Sequence, residues 1–352
     1  MDRKFYLELA AQGLSMPIGT DLILKEKDDH ETRLLDGKLL GEVIVEAANR
    51  FKTPLAFPLM DLAVEKEWML SIAGVPANEI ETYHFNSCPG EALTEKIKSG
   101  LKGAPTQRIK ANCDAIRHVA KEGRLLPVGM SIGPFSLMTK LVSDPITGVY
   151  LAGMGTSPED DPEVNLIETA LEISTTAILD SIRLQIEAGA KAICLCEPAA
   201  NLVYLSPKQL EDGSDIFERY VMKYNKIIRN FLAETDTDLI FHDCGELTDG
   251  MLLDFNVLDS AIMSLGSSRT LWKDAELLSK NTVLFGNLPS KKFYSDKDVP
   301  ESMVRSMSEE LRKKMKEANH PFILGSECDV LSVPGARETI LSKVNVIVET
   351  SS

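Results

Sequence analysis

Short apolar runs alternate along this chain with longer amphipathic ones. Eight of the short runs read as strands: residues 14–24, 54–62, 125–135, 191–198, 238–245, 259–267, 282–289 and 321–329. Each is brief and largely apolar, the pattern of strands buried on both faces. Between them the period lengthens. Residues 37–51 place Leu39, Leu40, Val43, Ile44 and Ala47 at helical spacing, and residues 164–188 show the same period over a longer stretch. Asp161-Pro162-Glu163 supplies a cap, a first-turn proline and a first-turn acid for that second helix. Ser206-Pro207 opens another in the same way, expected to run through Phe217, Val221 and Ile227. Residues 299–318 and 335–349 give two more, and the N-terminal MDRKFYLELAAQG reads as a helix.

Eight strands, most of them followed by a helix, predict an α/β fold: a closed parallel (β/α)8 TIM barrel forming one catalytic domain over residues 1–352. The stretches 63–124 and 136–163 are long for single connections between a strand and the next. They predict insertions that roof the C-terminal mouth. The tail Glu349–Ser352 is expected to fray, and no internal repeat or low-complexity tract interrupts the pattern.

Composition narrows the function. Of 352 residues, 44% are hydrophobic and 26% charged, an ordinary globular balance, and the formal net charge is −15. Such a surface repels phosphate backbones and anionic lipid, so neither nucleic acid nor membrane is an expected partner. No run is apolar for long enough to span a bilayer, and the N-terminus lacks the basic start and apolar stretch of a secretory signal. A cytoplasmic location follows as the expectation. Six cysteines are too few for a disulfide framework in a chain this long. They are core residues, metal ligands or nucleophiles.

In a barrel of this kind chemistry sits at the C-terminal ends of the strands. The fifth strand ends Phe241-His242-Asp243-Cys244-Gly245, and residues two apart on a strand face the same side. The eighth ends Gly325-Ser326-Glu327-Cys328-Asp329. His242, Cys244 and Cys328 together make a tetrahedral zinc set with one position left open, as catalytic rather than structural zinc sites have. Packing in the core is the alternative for all three, since free cysteines are often buried. The fourth strand ends Cys194-Leu195-Cys196-Glu197. Glu197 is a candidate general acid or displaceable fourth ligand, or else a helix cap. Cys194 and Cys196 share a face and read as sheet packing. Asp61, ending the second strand, is a candidate proton donor or an N-cap. Asn287, Asp21 and Ser131 are candidates for holding a polar group of the substrate.

Nucleotide-binding glycine loops, a Gly-x-Ser-x-Gly nucleophile and a His-Glu-x-x-His pair are all missing from the sequence. The segments GPFSL (133–137), EAGAKAICLCEPAANLVYLSPKQ (187–209), FHDCG (241–245), GN (286–287) and ILGSECDV (323–330) resemble the uroporphyrinogen decarboxylase superfamily. The resemblance covers roughly residues 37–349. FPLMDLAVEKEWMLSIAG (57–74) is similar to its corrinoid-dependent methyltransferase branch, whose zinc motif of His-x-Cys and a distant Cys carries over to His242, Cys244 and Cys328. What the resemblance implies is methyl transfer involving the cobalt of a cobalamin (corrinoid) on a separate corrinoid protein. The small-molecule partner would be an O-methylated donor, such as a methoxy-aromatic, or alternatively a thiol acceptor such as coenzyme M. PIGTDL and GNLPSKKFY look more like the demethylating subgroup. The decarboxylase itself relies on an arginine-rich N-terminal loop, whereas IGTDLILKEKDDHETRLLDG carries only Arg33. Porphyrinogen decarboxylation is disfavoured on that ground, and a non-catalytic corrinoid-interaction protein is a further alternative.

Overall fold

The computed structural model describes residues 3–349. Eight strands run parallel: β1 (Ser15–Ile18), β2 (Leu55–Ala56), β3 (Leu126–Ile132), β4 (Ala192–Cys196), β5 (Asp238–Asp243), β6 (Ile262–Leu265), β7 (Val283–Leu288) and β8 (Phe322–Asp329). Their order is β1-β8-β7-β6-β5-β4-β3-β2, and β1 pairs with β8, so the sheet curls into the (β/α)8 barrel expected from the sequence. Side-chain bonds tie β1 to β2 across the remaining seam. Thr20 Oγ1 donates to the Phe57 carbonyl at 2.7 Å, and Thr53 Oγ1 lies 3.1 Å from Met16 Sδ.

Alternation along the strands sorts two cores. Val128, Met130, Cys194, Ile240, Ile262 and Val283 fill the lumen, while Ile193, Leu195, Phe241 and Leu284 pack outward against the helices. Helix Lys4–Ala11 closes the N-terminal end. Tyr6 and Leu9 join the lumen core, and Tyr6 donates its hydroxyl to Asp238 at 2.9 Å. The sequence predicted that helix but not its place beneath the barrel.

Several boundaries differ from the sequence expectation. The run expected as one strand over 14–24 divides after Ile18, and Thr20–Leu24 is a buried helix. Solid burial makes its Leu-Ile-Leu run indistinguishable from a strand by periodicity. The strand expected over 54–62 pairs only at Leu55 and Ala56, since Pro58 lacks the donor a ladder needs. The helix opened by Ser206-Pro207 stops at Glu211; Gly213, at φ +86°, turns the chain before a π turn (Glu218–Met222) leads into Lys223–Ala233. Helix Pro162–Glu187 begins as read, with Asp161 accepting from the Glu163 and Val164 amides at 2.8 and 3.2 Å. Glu349 ends the last helix, and the rest of the expected frayed tail lies outside the described residues.

The long connections after β2 and β3 contain helices Val64–Ala73, Glu91–Gly100, Pro134–Leu141 and Pro145–Gly153. They are clipped together at Phe85, whose amide donates to the Leu141 carbonyl at 2.7 Å. Helix Gln107–Glu122, counted with the first insertion from sequence, packs on Gly37–Arg50 and on β3 as an ordinary barrel helix.

Candidate metal centre

Strand register brings the soft ligands together. β5 carries Ile240 and His242 into the lumen, and Cys244 follows two residues on. Gly266 lets the chain after β6 come close, because a Cβ there would sit 2.7 Å from the Cys244 carbonyl oxygen. On β8, simple alternation from the lumen residue Ile323 would turn Glu327 inward rather than Cys328. The pairing with β1 is irregular at this point: Met16 is matched with Gly325 and Ile18 with Asp329, so two steps on β1 face four on β8. The irregularity lies within the stretch that delivers Cys328.

The result is one cluster. Ligand atoms of His242, Cys244 and Cys328 all lie within 4.8 Å of one another, and among the described residues no other group of three or more such side chains does so. The sulfurs are 3.9 Å apart and unbonded. Two sulfurs bound tetrahedrally at ~2.3 Å would be separated by about 3.8 Å. His242 is fully buried. Its Nδ1 is 2.9 Å from Ser264 Oγ, which fixes the ring, and its buried Nε2 has no hydrogen-bond partner. A buried ring nitrogen without a partner is costly unless a ligand completes it. The donor set and its spacing therefore fit a zinc ion.

The electrostatics favour a thiolate. The hydrogen bond with Cys328 is the largest influence holding the Cys244 pKa down, against the effect of burial, and the His242 ring and the Lys291 ammonium add to it. Cys328 is pushed up for the reciprocal reason, so the two thiols share a proton. Desolvation pulls the pKa of Lys291, exposed in the turn after β7, down, but the neighbouring Cys244 charge raises it overall. Glu327 supports both adjoining loops, accepting from the Ser267 amide at 3.0 Å and the Lys291 amide at 3.4 Å. Met60 Sδ closes another side, 3.7 Å from Cys328 Sγ. Ser264, Lys291, Met60 and Glu327 were not singled out from sequence. Their roles depend on how strand ends meet, and only the GNLPSKKFY segment after β7 carried a hint.

The other candidates lie elsewhere. Glu197 follows the lumen residue Cys196 and points outward. Its carboxylate accepts from the Phe135 and Ser136 amides at 3.1 and 2.8 Å and from Asn225 Nδ2 at 3.0 Å. It closes the N-terminus of helix Pro134–Leu141, and Gly133 leaves the space, since a Cβ there would lie 2.1 Å from the carboxyl carbon. Burial pushes its pKa up. Asp61 is ion-paired with Arg108 in the loop after β2. Asp21 accepts from the Ser332 amide at 2.7 Å and fastens the loop after β8. Asn287 donates to the carbonyls of Gly266 and Arg269 at 2.7 and 3.0 Å, holding the loop that touches Cys244. Ser131 faces the helix layer, opposite in phase to Val128 and Met130, and donates to the buried Glu65 at 2.9 Å. Cys194 and Cys196 pack in the lumen with their sulfurs 3.8 Å apart, as read from sequence.

A parallel barrel with an imidazole and two thiols gathered at the C-terminal ends of β5 and β8 defines the class: a (β/α)8 protein with a ligand set for a soft metal at its mouth. The chain belongs to the uroporphyrinogen decarboxylase (URO-D) family, whose model matches residues 22–350. It is 27% identical over 196 residues to the methylcobamide:CoM methyltransferase MtbA of Methanosarcina mazei, a match covering 55% of this chain and 52% of that protein. It is 25% identical over 185 residues to the protein of the same name from Methanosarcina acetivorans, covering 51% and 48%. The chain thus spans about half the length of the curated relatives it matches. A solved methyltransferase from Methanosarcina mazei superposes along 99% of both chains with a TM-score of 0.67 at 16% identity, which shows a common fold. Among the described residues no helix is long and apolar enough to cross a membrane.

Proposed function

We propose that this protein is a zinc-dependent methyltransferase that moves a methyl group between a small molecule and the cobalt of a corrinoid carried by a separate protein. The observation that carries the proposal is the trio itself: two thiols at tetrahedral S···S spacing with an imidazole within 4.8 Å, its buried Nε2 left without a partner. The names of the curated relatives support the corrinoid part of the reading. Zinc, when bound, supplies Lewis acidity toward an oxygen or lowers the pKa of a thiol. The residues around it do the rest. Ser264 fixes the His242 ring so that Nε2 faces the two sulfurs. Lys291 places a positive charge beside Cys244, where charge on a departing oxygen or an entering sulfur would develop. Arg33, the one arginine of the N-terminal loop, is ion-paired with Asp29 at 2.6 Å. A single guanidinium is a poor match for the several carboxylates of a porphyrinogen, which supports setting decarboxylation aside.

The sequence favours an O-methylated donor, such as a methoxy-aromatic, with the corrinoid protein as acceptor. A second reading runs from methylcorrinoid to a thiol, and the coenzyme M named in both curated relatives favours it. One pair of assays separates them. Zinc-loaded protein is mixed with cob(I)alamin and methoxy-aromatic donors, or with methylcobalamin and thiols, and the cobalt absorbance is followed. Methylcobalamin growth with a methoxy-aromatic supports demethylation, and its loss with a thiol supports the second reading. No change in either direction across both panels contradicts the methyltransferase proposal and leaves a non-catalytic role.

A further inference from the structure

The segments that follow β2, β3 and β4 enclose a cavity of about 1030 Å³, the scale of a pocket that takes a small molecule. A short chain of contacts leads to it from the trio. Cys328 touches Met60, the next residue Asp61 is paired with Arg108, and Arg108 lines the cavity. Part of its wall is apolar, built by Ile80, Ala199 and Tyr204. Lys66 and Lys140 also line it.

These two lysines differ from the third cation of the cavity. Arg108 is neutralised by Asp61 and by Glu67, the latter at 2.6 Å. Lys66 gives one proton to the Glu81 carbonyl at 2.9 Å and is only 5% exposed. Among the described residues, neither Lys66 nor Lys140 has a carboxylate within 4.0 Å. The ammonium groups are close enough that the Lys140 charge adds to burial in pushing the Lys66 pKa down, opposed by the Glu81 charge. In a chain with 53 acidic residues, two neighbouring cations without an ion-pair partner in a recess are an arrangement that an incoming anion would relieve.

We infer that this cavity binds the small-molecule reactant by a remote anionic group, a carboxylate seated between Lys66 and Lys140, with its apolar body against Tyr204 and Ile80. The identity of the ligand as a methyl-transfer reactant rests on the function proposed above; its binding does not. The depth of Lys66 suits a small ligand rather than the surface of a partner protein.

The test is calorimetric titration of the zinc-loaded protein, without any corrinoid protein, with para-methoxybenzoate and with its neutral amide. The acid is expected to bind more tightly than the amide by roughly tenfold, a preference that shrinks as salt is raised. Lys140→Gln, at an exposed position that the fold tolerates, removes most of the preference by weakening the acid alone. Lys66→Gln does the same if it folds, which its melting curve reports. Equal binding of acid and amide, binding of neither, or a Lys140→Gln variant that weakens both alike overturns the inference. So does a variant that spares the acid but loses affinity for a cognate corrinoid protein, which would assign the lysines to the partner. Selective binding of the acid without methyl transfer in the cobalt assay would keep this site and refute the proposed function instead.

Discussion

The end of β4 and the paired ends of β5 and β8 are neighbours, joined by the Glu197 amide donating to the His242 carbonyl at 2.9 Å. Both gather buried polar groups, yet they are built oppositely. Both carboxylate oxygens of Glu197 accept hydrogen bonds, three in all, from protein donors on one helix end and one asparagine. At His242 the ring's Nδ1 is met by Ser264, while Nε2 and the two sulfurs converge with nothing between them. A carboxylate whose two oxygens are both met within the chain holds the fold; three ligand atoms that converge with no group between them are arranged for a metal. The difference separates two residues, Glu197 and His242, that look equally functional when read as strand ends.

The largest expected effects fall on the open cluster. Cys244→Ala, Cys328→Ala or His242→Ala should each lower zinc affinity by more than the ~10–100-fold typical of an outer-shell partner, with the melting temperature of the metal-free protein little changed. Chelator competition measures the first and calorimetry the second. Zinc affinity equal to wild type in all three variants would erase the contrast.

Away from the trio the effects are on stability. Glu65, fully buried and bonded to Ser131 and Ser181 at 2.9 Å each, has its pKa raised to about 7 by burial. A raised folded-state pKa means stability that is fully present below the unfolded value of about 4.5 and is lost as pH rises to about 7. Glu65→Gln should therefore match wild type near pH 4.5 and exceed it by about 3 kcal/mol above pH 7.5. Denaturant melts across that range check the sign; a variant less stable at high pH contradicts it.

Glu197→Gln replaces one acceptor oxygen by a donor facing an amide N–H. The expected cost is about 1–3 kcal/mol, with zinc content and turnover per zinc retained. Unchanged stability with lost turnover would move Glu197 into the chemistry. The smallest effect is Ser264→Ala, which frees the ring without removing a ligand. Zinc affinity should fall by about 10–100-fold at nearly constant melting temperature.

The barrel was legible in the sequence because strands buried on both faces and their intervening helices carry distinct periods. The same double burial concealed phase: with apolar residues on either side, nothing in the sequence marks Ser131 as facing outward while Met130 faces in. The juxtaposition of His242, Cys244 and Cys328 was legible because the first two sit on one strand and the third near a second strand's end. Cys328 reaches the site beside an irregularity in β8 that alternation alone does not predict. Asp61 and Asp21 read as candidates for the chemistry because they follow strand ends. In the structure both lie beyond the paired segments, engaged with Arg108 and with the Ser332 amide. Ser264 and Lys291 were invisible because their partners come from other strands.

The central claim is that the trio holds a metal, and X-ray absorption at the zinc edge of protein purified without chelator tests it directly. The account predicts about one zinc per chain, with two sulfur neighbours at ~2.3 Å and a nitrogen of imidazole at ~2.0–2.1 Å. Protein that takes up no zinc, or zinc surrounded by oxygen and nitrogen alone, contradicts it.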